Sequence, residues 1–220
     1  MVDPLILFGW RLEQDGLAHG TSGNLSRRVP GDRFRITPSG MAYRHLTDAD
    51  LVEIELPSGR PVAGTRRPSS EWRLHQALYL RRSDVQAVVH VHAPYSTVLA
   101  CLGRSIPPLH YVIARLGDAI PLVPYATFGT QALADAAAEG IGEAQAILLQ
   151  NHGLVAVGRS LAEAYQHALD AEWLATLYYR SLAVGEPIQL STPELDRVRQ
   201  ALAHYGQADH RTPGRRPPAR

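Results

Sequence analysis

Residues 85–92 read Val-Gln-Ala-Val-Val-His-Val-His, an apolar and β-branched run that ends in two histidines. β-branched residues pack well in an extended chain, and a short continuous apolar run is typical of a strand covered on both faces. We therefore predict a buried strand here. Residues 146–150 form a second run of this kind, and residues 154–157 resume as a strand beyond Gly153, in a hairpin or a bend.

Helical and extended patterns intermix around these two runs. Further strands are predicted over about residues 33–37, 51–56 and 119–123. Apolar spacing and flanking turn residues predict helices over about residues 5–17, 72–81, 94–102, 131–139, 161–184 and 193–205. This mixture indicates an α/β fold with helices packed on a central sheet. We assign residues 1–206 to a single domain and expect the Arg/Pro-rich tail, residues 207–220, to be flexible.

All 22 basic residues of the chain are arginine, so the sequence contains no lysine. A lysine amine is the nucleophile in Schiff-base chemistry on carbonyl compounds and the anchor for pyridoxal phosphate. Both kinds of catalysis are therefore excluded for this chain. Any carbanion that it stabilises needs a metal ion or hydrogen bonds instead.

The remaining composition is that of an ordinary globular protein, with 45% hydrophobic and 20% charged residues. A net charge of +1 predicts neither a nucleic acid partner nor an anionic membrane surface. The single cysteine, Cys101, excludes an intrachain disulfide and suits a reducing compartment. The first ten residues lack the basic start of a signal peptide, and no run approaches the roughly 20 apolar residues that span a bilayer. We therefore predict a soluble cytoplasmic protein.

Three histidines stand at the ends of predicted strands. His90 and His92 are two residues apart on one strand, so both side chains point to the same face. By themselves, two such histidines more often lie on the wet face of an edge strand than at a metal. His152 follows the second buried run directly, and Gly153 gives its backbone freedom. Three imidazoles at strand ends are typical of a catalytic zinc site with positions open for substrate, so we predict one zinc ion per chain.

A second set of polar residues suggests a phosphate site. Residues 68–71, Pro-Ser-Ser-Glu, place two hydroxyls at the start of a predicted helix, where free N–H groups and the helix dipole attract anions. Serine is also a common helix cap, which is the simpler explanation of this motif alone. Two further polar turns, residues 21–24 and 37–40, favour a phosphate pocket built without lysine.

These motifs occur in an order that resembles the class II aldolase/adducin superfamily over about residues 5–206, and within it the bacterial L-fuculose-1-phosphate aldolases. The matching motifs are Thr21-x-Gly23-Asn24, Thr37-Pro38-x-Gly40, Pro68-Ser69-Ser70-Glu71-Trp72-Arg73, His90-x-His92, Ser105-Ile106-Pro107, His110-Tyr111, Pro124 to Thr130 and His152-Gly153. The resemblance implies a three-layer αβα sandwich around a mainly antiparallel central sheet. It also implies a C4 homotetramer with active sites at the subunit interfaces.

The same resemblance implies a role for each matching residue. The zinc ligands correspond to His90, His92 and His152, and the phosphate site to Asn24, Ser39, Gly40, Ser69 and Ser70. Glu71 corresponds to the catalytic acid/base, Tyr111 to a tyrosine that reaches the neighbouring subunit's site, and Tyr205 to one from the C-terminal segment. The chain departs from the fuculose aldolases at Ser39, where they have threonine, at Asn151, where they have histidine, and in its longer tail.

The implied activity is that of a zinc-dependent aldolase. It would cleave a ketose 1-phosphate reversibly to dihydroxyacetone phosphate and a small aldehyde such as L-lactaldehyde. A salvage enzyme that acts on 5-deoxyribulose 1-phosphate is the main alternative. Sugar-acid phosphate decarboxylases and sugar-phosphate 4-epimerases share the scaffold, although the epimerases carry aspartate where Glu71 stands. An adducin-like scaffold domain lacks the metal histidines, and all three are present here.

Overall fold

A computed structural model describes residues 2–205 of the chain. Within this range the strands are β1 (Asn24–Val29), β2 (Arg33–Ile36), β3 (Val52–Glu55), β4 (Pro61–Ala63), β5 (Ala87–Val91), β6 (Leu122–Val123), β7 (Ala146–Leu149) and β8 (Gly153–Gly158). The α-helices are α1 (Pro4–Gln14), α2 (Trp72–Arg81), α3 (Pro94–Cys101), α4 (Gln131–Gly140), α5 (Leu161–Leu182) and α6 (Thr192–Ala203). Short 3-10 helices cover Tyr43–His45, Asp48–Asp50 and Tyr111–Arg115.

The strands form one sheet in the order β4-β3-β2-β1-β5-β8-β7-β6. The pairings are antiparallel except that of β6 with β7, which is parallel. β5 lies between β1 and β8, and every residue of β5 and of β8 is buried. The mainly antiparallel sheet is therefore confirmed, and the run quoted first above supplies a central strand.

Helices cover both faces of the sheet, which confirms the three-layer arrangement. Side chains of a strand alternate between faces, and β5 shows this directly. Val88 packs in a cluster with residues of α2 and α4, whereas Val89 packs with residues of α1, α3, α5 and α6. Each face thus has its own hydrophobic core, and the sheet separates the two.

The main error of the sequence prediction concerns β1, because we predicted a polar turn over residues 21–24 and no strand directly after it. The strand begins at Asn24 and pairs with β2 on one side and β5 on the other. Asn24 and Ser26 are buried on the face towards α2, where their polar groups find hydrogen-bond partners. Because satisfied polar groups can be buried, the strand carries no apolar signature on that face.

Several other predicted bounds shift by a few residues. α1 ends at Gln14, since Gly16 takes a positive φ of 71°, and β6 is shorter than the predicted strand at residues 119–123. The hairpin alternative beyond residue 150 is confirmed, because β7 and β8 pair antiparallel. No helix within residues 2–205 combines the length and apolar content needed to cross a membrane. The predicted tail, residues 207–220, lies outside the described residues, and the single-domain assignment stays a prediction.

Candidate active site

Strand ends bring the three predicted metal histidines together. His90 is the fourth residue of β5, His92 follows the end of that strand, and His152 lies in the turn of the β7–β8 hairpin. The three ring centroids lie 4.8 to 5.0 Å apart, and the Nε2 atoms of His90 and His92 are 3.1 Å apart. The sequence prediction of a histidine cluster agrees with this geometry.

The orientation of the His90 ring follows from its hydrogen bond. Its Nδ1 lies 2.9 Å from the carbonyl oxygen of Leu154, which can only accept, so Nδ1 carries the hydrogen and donates. When the ring is neutral, as it must be to bind a metal ion, its lone pair is on Nε2, which faces the other two histidines. Such a backbone contact behind the ring is the usual support of a metal-binding histidine.

Glu71 completes the cluster from a different layer of the fold. It is the N-cap of α2 and is buried, with 7% of its surface exposed. Its Oε2 lies 3.1 Å from Nε2 of His90, and its Oε1 lies 3.2 Å from Nε2 of His152. The side-chain amide of Asn24 also donates to Oε2, at 3.1 Å. The carboxylate of Glu71, at the start of α2, is therefore in contact with residues at the ends of three central strands.

The electrostatics of the cluster favour an ionised Glu71. Burial by itself raises the pKa of the carboxyl, but the imidazoles of His90 and His152 outweigh it and hold the pKa well below its usual value. Burial lowers the pKa of His90, yet the Glu71 carboxylate outweighs that effect and raises it. Burial, and then the charges of His90 and His152, lower the pKa of His92 to about 4, so its ring is neutral at pH 7.

These four residues fit a divalent metal ion. Each offers one nitrogen or oxygen atom, and the four atoms all lie within 4.8 Å of one another. Oε1 of Glu71 is buried and has no hydrogen-bond partner among the described residues, although it lies close to His152. A cation would satisfy this oxygen, and nitrogen and carboxylate donors suit zinc and similar divalent ions.

The cluster opens into a cavity of about 380 Å³, which suits a small ligand. The predicted phosphate residues all line it, namely Asn24, Ser39, Gly40, Ser69 and Ser70. The two loops that carry four of them run side by side: Ser39 N–H donates to the Arg67 carbonyl and Ser69 N–H to the Thr37 carbonyl, both at 3.1 Å. Hydroxyl and amide groups thus line the same cavity as Glu71 and the histidines beside it.

The two serines at the start of α2 differ in their surroundings. Ser69 is buried, and its Oγ accepts a bond from the Glu71 N–H at 3.3 Å, a local contact within the turn that precedes α2. Ser70 is exposed and makes no capping bond to α2. Gly129 packs against Ser70: a Cβ there would lie 2.9 Å from the Ser70 carbonyl oxygen, and its φ is 73°. The Ser70 hydroxyl is thus more available to a ligand than the Ser69 hydroxyl.

The two predicted catalytic tyrosines do not line the cavity of their own chain. Tyr111 begins a 3-10 helix and is 50% exposed, with its ring 4.5 Å from that of His110. His110 in turn meets the Trp173 ring edge-on at 4.7 Å. Tyr205 is the last described residue and is 79% exposed. An exposed Tyr111 is compatible with action in a neighbouring subunit, which stays a prediction, as does the role of Tyr205.

Sequence reasoning missed part of the site. Tyr125 and Ala126 line the cavity beside Phe128, and Asn151 lines it next to His152 with a positive φ of 55°. Asparagine tolerates that backbone conformation better than most residues. His75 also escaped prediction, although it touches Asn24 behind the cavity. The available signal was its position four residues after Glu71, on the same face of the helix.

Comparisons with known proteins agree with this geometry. A family model described as Class II Aldolase and Adducin N-terminal domain matches residues 5–179. A 5-methylthioribulose-1-phosphate/5-deoxyribulose-1-phosphate aldolase of Rhodospirillum rubrum is 46% identical over 192 residues, covering 87% of this chain and 86% of that protein. An L-fuculose phosphate aldolase of Escherichia coli K12 is 44% identical over 193 residues, covering 87% and 88%. A solved L-fuculose 1-phosphate aldolase superposes with a TM-score of 0.88 at 36% identity, covering 90% and 94%.

The family match spans most of the chain, and the two relatives and the solved structure are all aldolases. The resemblance predicted from the motifs is therefore confirmed, as are the fold that it implied and the assignment as an enzyme. The cluster of Glu71 with three histidines could hold the metal ion of such an enzyme. The protein belongs to the class II aldolase family and is a metal-dependent lyase of that family.

Proposed function

We propose that the protein reversibly cleaves a ketose 1-phosphate to dihydroxyacetone phosphate and a small aldehyde. The observation that carries this proposal is a shared cavity: the metal cluster, the ionised Glu71 and the hydroxyl and amide loops all open into it. In cleavage, the carbon–carbon bond between C3 and C4 breaks. The C4 hydroxyl loses its proton and becomes the aldehyde, and C3 takes up a proton.

His90, His92 and His152 would hold a zinc ion, one per subunit, since three imidazoles are a common ligand set for catalytic zinc. A bound ion supplies Lewis-acid stabilisation of the negative charge that builds up on the ketone oxygen. The phosphate would be held by Asn24, Ser39, Gly40, Ser69 and Ser70. Binding this constant half of the substrate orients the reacting carbons.

Glu71 transfers the proton at C3: it removes the proton in condensation and returns it in cleavage. Its carboxylate is ionised, as a base must be, and it lies between the metal histidines and the phosphate loops. Tyr111 of a neighbouring subunit would transfer the proton at the aldehyde oxygen, with Tyr205 assisting. This arrangement requires an oligomer, and we propose a C4 tetramer with active sites at its interfaces.

Two aldehydes are candidates for the variable half of the substrate. L-lactaldehyde would come from a fuculose 1-phosphate-like substrate, and acetaldehyde from 5-deoxyribulose 1-phosphate. The 5-deoxyribulose alternative is favoured by the Rhodospirillum rubrum relative, whose name includes this activity. Both products end in a methyl group, which suits the apolar groups that Tyr125, Ala126 and Phe128 contribute to the cavity lining.

Proton exchange in D₂O, followed by NMR, tests the proposal. The zinc-loaded wild type should exchange a proton on the hydroxymethyl carbon of dihydroxyacetone phosphate, the carbon that becomes C3 of the ketose, without any aldehyde, because Glu71 and the phosphate loops are complete without it. Tyr111→Phe should keep the exchange and lose most cleavage, whereas Glu71→Gln should lose both. A panel of aldehydes, with the stereochemistry of each product determined, identifies the variable half.

A wild-type protein that neither exchanges the proton nor condenses dihydroxyacetone phosphate with any of several aldehydes would refute the aldolase proposal. Two other results would reassign the chemistry. An epimerase would convert one pentulose phosphate into another without net cleavage. A decarboxylase would act only on a substrate that carries a carboxylate.

A further inference from the structure

A line of buried polar side chains runs between β1 and α2, directly behind Glu71. Asn24 and Ser26 belong to the strand, and His75 and Tyr79 belong to the helix. All four are 4% exposed or less. We call these four residues the polar line. Buried polar groups need hydrogen-bond partners, and these four side chains supply partners to one another.

Side chains of β1 and α2 can alternate along one line because four residues of a helix rise by nearly the same distance as two residues of a strand. Glu71, His75 and Tyr79 are four residues apart on the helix, a rise of about 6 Å per step. Asn24 and Ser26 are two apart on the strand, a rise of about 6.7 Å. The strand residues therefore fit between the helix residues, in the spatial order Glu71, Asn24, His75, Ser26, Tyr79.

Every neighbouring pair in this order is within hydrogen-bond distance. The Asn24 amide nitrogen lies 3.1 Å from Oε2 of Glu71, and its amide oxygen lies 2.5 Å from Nε2 of His75. Ser26 Oγ lies 2.6 Å from Nδ1 of His75 and 2.7 Å from the hydroxyl of Tyr79. One unbroken series of bonds thus ends at the carboxylate.

The amide of Asn24 fixes the direction of each bond. Its nitrogen can only donate and lies on Oε2 of Glu71, so Oε2 accepts and the amide oxygen faces His75. That oxygen also only accepts, so Nε2 of His75 carries the hydrogen. A neutral ring has one N–H, so Nδ1 accepts from the Ser26 hydroxyl, which accepts in turn from Tyr79.

The ring of His75 is in the state that this order requires. Burial, and after it the charge of His90, lower the pKa of His75 to about 3, against a smaller opposing effect of Glu71. Burial also raises the pKa of Tyr79 to well above its ordinary value, so its hydroxyl keeps its hydrogen. The polar line therefore has one proton arrangement at neutral pH.

We propose that His75 is a positioning residue for Glu71, which it reaches through Asn24. Held as its neutral Nε2–H tautomer, it keeps the Asn24 amide nitrogen on Oε2 of Glu71. Oε1 is thereby kept on the side of His152, so the carboxylate that transfers the proton has one orientation. The catalytic part of this inference rests on the proposed function, whereas the proton arrangement does not.

NMR of the ring nitrogens tests the proton arrangement without any activity measurement. In ¹⁵N-histidine-labelled protein at neutral pH, a protonated and an unprotonated ring nitrogen have clearly different shifts. The signal that disappears in His75→Gln should show hydrogen on Nε2 and a lone pair on Nδ1. Hydrogen on Nδ1, or on both nitrogens, would overturn the proposal.

A matched pair of variants tests the positioning role. Gln can donate from about the place of Nε2, whereas Leu has similar bulk and no donor. His75→Leu should lower kcat about 10- to 100-fold, the usual effect of losing a supporting contact behind a metal site, with a KM near that of wild type. His75→Gln should restore most of that loss. Metal content and thermal unfolding are measured for both variants.

A role in stability alone gives a different pattern. Folded, metal-loaded His75→Leu with a wild-type kcat, or equal losses of kcat in Leu and Gln, would refute the positioning role. If the Leu variant does not fold, His75→Asn replaces it, because its amide is one methylene too short to reach Asn24. A wild type that cleaves no ketose 1-phosphate defeats the proposed function, and the NMR result still decides where the protons lie.

Discussion

Replacement of Gly153 by alanine should weaken metal binding although no metal ligand is replaced. Gly153 begins β8, beside the end of β5 and next to His152. A Cβ at this position would lie 2.5 Å from the carbonyl oxygen of Val91 and 2.9 Å from Cδ2 of His92. Ordinary contacts of a Cβ begin at 3.4 Å, so the two approaches are too short by about 0.9 and 0.5 Å.

The methyl group can be accommodated only if β5 and β8 separate or the His92 ring moves. Overpacking of a close-packed interior costs about 1–3 kcal/mol. Metal–ligand distances tolerate about 0.2 Å, which is less than the displacement required of His92. We therefore expect the affinity for zinc to fall about 10- to 100-fold, the scale seen when the support of a metal ligand is disturbed.

Zinc affinity is measured by competition with a chromophoric chelator, at a temperature where circular dichroism shows folded protein. Gly185→Ala is the matched control, because nothing lies within 4 Å of a Cβ added there. It should keep both the affinity and the melting temperature of wild type. Folded Gly153→Ala with a zinc affinity within twofold of wild type would show that the reasoning about His92 is wrong.

Three further predictions concern the rest of the site. The double variant Ser69→Ala/Ser70→Ala should have a much higher KM for phosphorylated substrates, since a hydrogen bond to a charged group contributes about 1.5–3 kcal/mol. A lower melting temperature with an unchanged KM would mean that the serines only stabilise the start of the helix. His92→Ala should lose most of its zinc in metal analysis and most of its activity, and full retention of both would remove His92 from the site. Mixed Tyr111→Phe and Glu71→Gln subunits should regain activity in hybrid oligomers, because some sites then combine an intact Glu71 with a neighbour's intact Tyr111; confirmed hybrids without activity would place both residues in one chain.

The metal histidines and the phosphate loops could be proposed from the sequence because their signals are local. His90 and His92 share a face for the simple reason that they are two apart on a strand. Ser69 and Ser70 stand before a helical pattern, which is visible within a few residues. The position of a residue along a helix or strand depends on its neighbours in the sequence, so it can be predicted from one sequence.

The first strand was missed for the opposite reason. Asn24 and Ser26 are polar, and in isolation they indicate a turn. They are tolerated in a buried strand only because α2 places His75 and Tyr79 against them. A partner that lies far away in the sequence leaves no local mark, and the polar line was therefore invisible before the fold was known.

By itself, the sequence determined the chemistry that was available: no lysine for a Schiff base, three histidines at strand ends and hydroxyl-rich turns. Only the tertiary structure decided that Glu71, at the start of a helix, meets His90 and His152 from two strands. It also decided that Asn24 bonds to Oε2 of Glu71, whereas Oε1 has no hydrogen-bond partner within residues 2–205. The physical reason is that strand pairing and helix packing depend on contacts between distant residues, whereas periodicity reports only the geometry of each element.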